Sequence, residues 1–198
     1  MQTQVLPIFS THLSETQLEL DNEEIADWAR SLRAKSALDR AGGWQSEPID
    51  FASPPIHDLV ASVRSHLKFL CENIYGFKDN VSLKLVNSWI NFNDPGLEPI
   101  NNNYYHLHTS CFASLVYYVD CAEGSGDLVL IPPYQTVEYA LPSQLIEQYN
   151  IFNSQRWRIK PEPGKLVSYP SWIQHFADPN RSDRERISIA FNAVLDVK

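Results

Sequence analysis

Three of the six histidines in this 198-residue chain fall into a pattern that could do chemistry. His106 and His108 are separated by one residue inside YYHLH, a segment that reads as a strand. Alternate strand side chains share a face, so both rings are expected to project the same way, at a spacing that suits two ligands of one metal. His175 lies 67 residues beyond His108, directly after the turn-like Pro170-Ser171-Trp172. In a barrel, distant strands become neighbours, so it could supply a third ligand. The plain alternative is that two histidines on a strand face are only exposed or hydrogen-bonded. His12, His57 and His66 have no partner at ligand spacing and are expected to be structural.

A second pattern follows His175. Arg186 begins RISIAFN. Period two puts Arg186, Ser188, Ala190 and Asn192 on one face and Ile187, Ile189 and Phe191 on the other. An arginine among buried strand residues needs an anion, either an internal carboxylate or a ligand. Tyr117 and Tyr118 lie on the strand just after the histidine pair, and one of the two rings must face any cavity. In SLKLVNSWINF, Asn87, Trp89 and Asn91 form a polar-aromatic face opposite Val86, Ile90 and Phe92.

These groups need elements to hold them. Residues 22–35 space Ile25, Trp28, Ala29 and Leu32 as a helix, with Asp21 or Asn22 as cap and Glu23 and Glu24 at its positive end. A second helix is expected after Ser53-Pro54, through Leu59, Val63, Leu67, Leu70 and Ile74, with Gly76 as its stop. From Val81 the period changes to two. Strand signals recur at YYHLH, ASLVYYV, DLVLI, TVEYA, KLVSY and ISIAFNAVL, separated by Gly, Pro and Asn turns. Seven or eight short strands without intervening helices predict a double-sheet barrel or jelly roll, with both helices on one outer face.

Composition narrows the class. A hydrophobic fraction of 43% and a charged fraction of 20% describe one ordinary globular domain. A formal charge of −8 disfavours an extended nucleic-acid footprint and anionic membranes. Three cysteines are too few and too odd for a disulfide framework and suit a reducing compartment; Cys111, on the opposite parity from the two histidines, is expected to pack. With no signal-like leader and no apolar run long enough for a bilayer, a cytoplasmic protein is expected.

Taken together, the residues resemble the iron(II)- and 2-oxoglutarate-dependent oxygenases, and more narrowly a branch of them found in bacteria and phages. The resemblance runs through Pro7-Ile8-Phe9, Gly43-Trp44-Gln45-Ser46, Ser88-Trp89-Ile90-Asn91, His106-Leu107-His108 and Val116-Tyr117-Tyr118-Val119. It continues through Tyr169-Pro170-Ser171-Trp172 to His175, then Glu185-Arg186-Ile187-Ser188-Ile189 and Phe191-Asn192. It implies a mainly β fold, a double-stranded β-helix (a cupin-like jelly roll) braced by the two N-terminal helices. It would form a single domain over residues 1–198, with 1–80 as helical support and 81–198 as the barrel.

It implies Fe(II) held by His106, His108 and His175, with O2 and 2-oxoglutarate as co-substrates. Arg186 would pair with the far carboxylate of 2-oxoglutarate, Ser188 and Tyr118 would donate hydroxyls to it, and Asn91 and Trp89 would line the cavity. The reaction implied is oxidative decarboxylation to succinate and carbon dioxide, coupled to hydroxylation of an unidentified small-molecule or peptide substrate. No side chain is needed as a separate acid or base. The wider superfamily has H-x-D or H-x-E where this chain has His106-Leu107-His108, so a carboxylate such as Asp94 or Glu98 could complete the site instead. A three-histidine cupin-type enzyme that does not use 2-oxoglutarate and a non-catalytic barrel remain alternatives. Selectivity is expected from residues 93–104, residues 132–156 and the N-terminal strand.

Overall fold

A computed structural model of the chain describes residues 2–36, 43–96, 106–133 and 142–198. The element order is β1 (Ser14–Gln17), α1 (Asn22–Ala34), β2 (Gly43–Gln45), α2 (His57–Phe69), β3 (Val81–Asn93), β4 (Ala113–Asp120), β5 (Leu128–Ile131), β6 (Trp157–Ile159), β7 (Lys165–Pro170), β8 (Gln174–Ala177) and β9 (Arg186–Val197). Six strands form one antiparallel sheet in the order β1-β7-β4-β9-β3-β2, and β6-β5-β8 form a smaller one. The two sheets make a double-stranded β-helix, as the strand pattern predicts. TVEYA, the first two residues of YYHLH, and Glu98 lie outside the described residues.

The helices form for the reasons their sequences suggest. Asp21 caps α1, its carboxylate accepting from the Glu24 N–H at 3.0 Å; Asn22 instead accepts from the Tyr117 hydroxyl. Before α2, Pro54–Ile56 form a 3-10 turn, and Ser53 makes no side-chain cap. Residues Leu70–Ile74 then form a π turn, in which the Tyr75 N–H donates to the Leu70 carbonyl. The wider turn breaks the 3.6-residue period, so Ile74, expected on the apolar stripe, is exposed.

Both helices pack on one face of the larger sheet. Ile25, Ala29, Leu59, Val63, Leu67 and Leu70 meet Ile90, Phe92, Leu115, Tyr117, Ile187, Ile189 and Phe191 there in one buried core. A smaller core, including Tyr118, Leu128, Leu130, Val167 and Tyr169, fills the space between the sheets. Residues before 81 supply both outermost strands of the larger sheet as well as the helices. β2 sits in a stretch that reads as loop. Gly43 lets it approach: a Cβ there would lie 1.9 Å from the Phe92 carbonyl oxygen, and its φ is +128°.

One sequence expectation is corrected along β3. Register slips between Leu85 and Asn87, leaving Val86 opposite no partner. This bulge flips the alternation. Val86 and Asn87 are both exposed, and the buried series runs Leu85, then Ser88, Ile90 and Phe92. Only Trp89 and Asn91 of the expected polar-aromatic face reach the interior cavity. Among the described residues, no helix is long and apolar enough to cross a membrane.

Candidate metal centre

The barrel brings the three histidines together. His175 lies on β8, and His106 forms an isolated antiparallel bridge with it. The two backbones exchange hydrogen bonds of 3.2 and 3.0 Å. The ring centroids of His106 and His175 are 4.2 Å apart, and those of His108 lie 5.2 and 5.3 Å from the other two. One nitrogen from each ring falls within 4.8 Å of the others. His108 follows the bridge in irregular backbone, so a fastened loop rather than a regular strand sets its position. Its N–H donates to the Ser171 carbonyl at 2.9 Å, and the Ser171 hydroxyl bonds that of Ser114 at 2.9 Å. Ser114 in turn donates to Asn192 Oδ1 at 2.9 Å.

The rings are prepared as ligands. His175 Nδ1 lies 2.9 Å from the Ile173 carbonyl, which fixes Nδ1 as the protonated nitrogen and leaves Nε2 as a lone-pair donor. Burial, reinforced by His106, pushes His175 down to about 3. Burial and His106 push His108 down to about 4, and burial lowers His106. All three are neutral near pH 7, the form a metal binds. His106 Nδ1 is buried without a hydrogen-bond partner. Three converging neutral imidazoles, one with an orphaned ring nitrogen, fit a divalent metal. The described cluster contains no carboxylate. Asp94 is engaged elsewhere, both its oxygens accepting from Arg33 at 2.7 Å.

The histidines line a cavity of about 90 Å³ that also takes in Trp89, Asn91, Tyr118, Arg186 and Ser188. Arg186 is 3% exposed. Its guanidinium donates to the carbonyls of Ser125, at 3.0 Å, and Gly126, and to Asn93 Oδ1 at 2.9 Å, while Nε is buried without a partner. No carboxylate lies within ion-pair distance of it among the described residues, so the internal-salt-bridge alternative does not describe this arginine. Burial lowers its pKa from the ordinary arginine value, yet a guanidinium stays charged at neutral pH. A buried cation with an unused N–H is a socket for an anion.

Tyr118 and Ser188 pair across β4 and β9, and neither hydroxyl has a hydrogen-bond partner among the described residues. Burial pushes the Tyr118 phenol up to about 12, so it stays a donor. Tyr117 faces the helix-side core instead. Asn91 accepts from Gln45 Nε2 at 3.0 Å, and the Trp89 ring sits 5.9 Å from that of His108. Three converging neutral imidazoles are a donor set that suits Fe(II), and a buried guanidinium lining the same cavity suits a carboxylate such as those of 2-oxoglutarate.

Sequence reasoning missed the residues that hold the arginine. Asn93 continues the Trp89-Asn91 alternation by one more step and pairs with Arg186 in register, so it was within reach of the period. The Ser125 and Gly126 carbonyls leave no side-chain signal. Tyr169, edge-on to His175 at 4.9 Å between centroids, reads as ordinary core.

Residues 87–192 match the model of a family described as "Putative 2OG-Fe(II) oxygenase". No curated protein matches the chain. Among solved structures, a prolyl-4-hydroxylase from Pseudomonas putida is similar over 93% of both chains, with 15% identity and a TM-score of 0.62. A prolyl hydroxylase from Trichoplax adhaerens, solved with a hypoxia inducible factor peptide fragment, is similar over 92% of this chain and 83% of its own, with 13% identity and a TM-score of 0.64. A viral collagen prolyl hydroxylase from Paramecium bursaria Chlorella virus-1, solved with 2-oxoglutarate, is similar over 93% of this chain and 96% of its own, with 12% identity and a TM-score of 0.58. At such identities these likenesses speak to the fold.

Proposed function

The chain belongs to the 2OG-Fe(II) oxygenase family, and we propose that His106, His108 and His175 hold its iron while Arg186 anchors 2-oxoglutarate. The cofactors of the family are Fe(II), 2-oxoglutarate and O2, and its chemistry is that of a hydroxylase-type oxidoreductase. The observation that carries the residue roles is Arg186. It is a buried cation without a carboxylate partner, lining the same cavity as three neutral imidazoles.

When bound, the iron supplies oxidative decarboxylation of 2-oxoglutarate and hydroxylation of a substrate C–H bond. The protein supplies orientation and exclusion of water. His106, His108 and His175 would hold the metal through three nitrogens, and the keto-acid end of 2-oxoglutarate would bind it as well. Arg186 Nε would donate a charge-assisted hydrogen bond to the far carboxylate, with the Tyr118 and Ser188 hydroxyls as further donors. Ser125, Gly126 and Asn93 hold the guanidinium in place through their hydrogen bonds to it. Trp89, beside His108, and Asn91, in register with Ser188, line the β3 wall. No side chain is required to take a proton from the substrate carbon. We read residues 1–198 as one oxygenase domain acting on a small-molecule or peptide substrate, selected by the segments that follow β3 and β5.

The test is uncoupled turnover. Protein loaded anaerobically with Fe(II), then given O2 and 2-oxoglutarate without substrate, is expected to form succinate. Arg186→Ala should raise the KM for 2-oxoglutarate about ten- to hundredfold, the worth of a charge-assisted bond, with iron content unchanged. An unchanged KM removes the role given to Arg186. Oxygen uptake indifferent to 2-oxoglutarate would point to the cupin-type alternative.

A further inference from the structure

We infer that this cavity, once it holds a divalent metal and 2-oxoglutarate, takes a second, singly charged anion, a carboxylate, against its β3 wall beside Trp89 and Asn91. The inference rests on the three-histidine reading above and extends it to the class of the second ligand.

Charge carries the first part. Among the described residues lining the cavity there is no aspartate or glutamate, while there are three imidazoles and one arginine. Asp127 and Asp178 act on Arg186 only through space, and both face Arg158 instead, in an ion pair of 3.7 Å and in a closer contact. With the described lining alone, a dication and a guanidinium against the two charges of 2-oxoglutarate would leave one positive charge uncompensated. A carboxylate ligand in place of His108 would cancel it; a neutral imidazole does not. An uncompensated charge in a buried site is costly, and a second anion removes that cost.

Hydrogen bonding carries the second part. The Asn91 Oδ1 acceptor is taken by Gln45 Nε2 at 3.0 Å, which leaves the Asn91 amide N–H groups without an acceptor among the described residues. Trp89, a donor only, likewise has no acceptor among them, and its ring is 5.9 Å from that of His108. The β3 wall of the cavity therefore offers unused donors, which suits an acceptor-only group. The chain's net charge of −8 disfavours large polyanions, and one uncompensated positive charge matches a single carboxylate.

Protein loaded with Co(II) and saturated with 2-oxoglutarate does not need to turn over, and binding can be followed by its visible absorption and by calorimetry. Acetate is expected to bind at least tenfold more tightly than its neutral counterpart acetamide. His108→Asp, which restores the missing negative charge, should weaken acetate at least tenfold. Asn91→Leu should weaken it several-fold with Co(II) content unchanged. Acetate no better than acetamide in the unmodified protein overturns the inference, and so does equal acetate affinity in a folded His108→Asp. Failure to take up Co(II) overturns the three-histidine reading and this inference with it; uptake without acetate preference overturns the inference alone. N-acetyl amino acids separate the sources. Binding at least tenfold tighter than acetate supports a carboxylate carried by the substrate, and binding equal to acetate supports an anion from solution.

Discussion

On the helix side of the six-stranded sheet, β9 presents Ile187, Ile189, Phe191 and Ala193, all with no exposed surface. On the cavity side the same strand presents Arg186, Ser188, Ala190 and Asn192, none more than 9% exposed. Burial is nearly equal on the two faces, and the chemistry is opposite. The helix side gains by excluding water from apolar surface and asks little of any single group. The cavity side keeps polar groups out of water and leaves the Arg186 Nε and a ring nitrogen of His106 buried and unspent among its lining, while Ser88 Oγ and His12 Nε2 are isolated cases away from the cavity. One face holds the sheet in shape; the other waits for ligands.

Substitutions that separate the faces are the sharpest tests of this contrast. The largest effect belongs to His175→Ala, which should reduce bound iron and succinate formation to background, because two ligands hold the metal poorly. Retained iron by elemental analysis would break the cluster. Next, Phe191→Ala on the helix side should lower unfolding free energy by about 3–5 kcal/mol in denaturant titrations. In the same measurement Ser188→Ala, three positions earlier on the cavity side, should cost less than about 1 kcal/mol while raising the KM for 2-oxoglutarate several-fold.

The adjacent tyrosines offer a finer version. Tyr117→Phe breaks the hydrogen bond to Asn22 and should cost about 1 kcal/mol of stability with 2-oxoglutarate affinity unaltered. Tyr118→Phe should do the reverse. If both behave alike, the two faces are not functionally distinct.

The smallest effect is a pH dependence on the helix side. Burial, with His66 nearby, pushes His12 down to about 4, and its Nδ1 bonds the Tyr75 hydroxyl at 2.6 Å. Burial also lowers His66, whose Nε2 lies 3.0 and 2.9 Å from the Ser14 and Ser168 hydroxyls. A histidine held below its unfolded value favours the neutral folded state. Its contribution is complete above about pH 6.5 and is lost as pH falls from there toward about 4. Urea midpoints of the metal-free protein across that window should fall with acid, and less steeply in His12→Asn.

Much of this arrangement was legible in the sequence, for identifiable reasons. α1 and the five strands β3, β4, β5, β7 and β9 announce themselves because each buries a continuous periodic face. β1, β2, β6 and β8 are three or four residues long, too short to show a period, and unlike the equally short but wholly apolar β5 they are largely polar or mixed in sequence. Val86 and the π turn after α2 each add a residue to an otherwise regular pattern, and tertiary packing rather than local preference decides where such an insertion falls. The histidine pair, the distal histidine and the arginine were visible as residue types at spacings. What holds Arg186 was hidden, because the Ser125 and Gly126 carbonyls belong to the backbone and carry no signature in the side chains.

The bridge between His106 and His175 has a consequence for the chain's entropy. A dication held by His108 and His175 would tie together two points 67 residues apart and act as a removable cross-link. By the loop-closure relation used for disulfides, constraining a loop of that length is worth about 4 kcal/mol against the unfolded ensemble. The metal would then be a staple as well as a reagent, and apo and loaded protein would differ in how long a meander of strands stays closed.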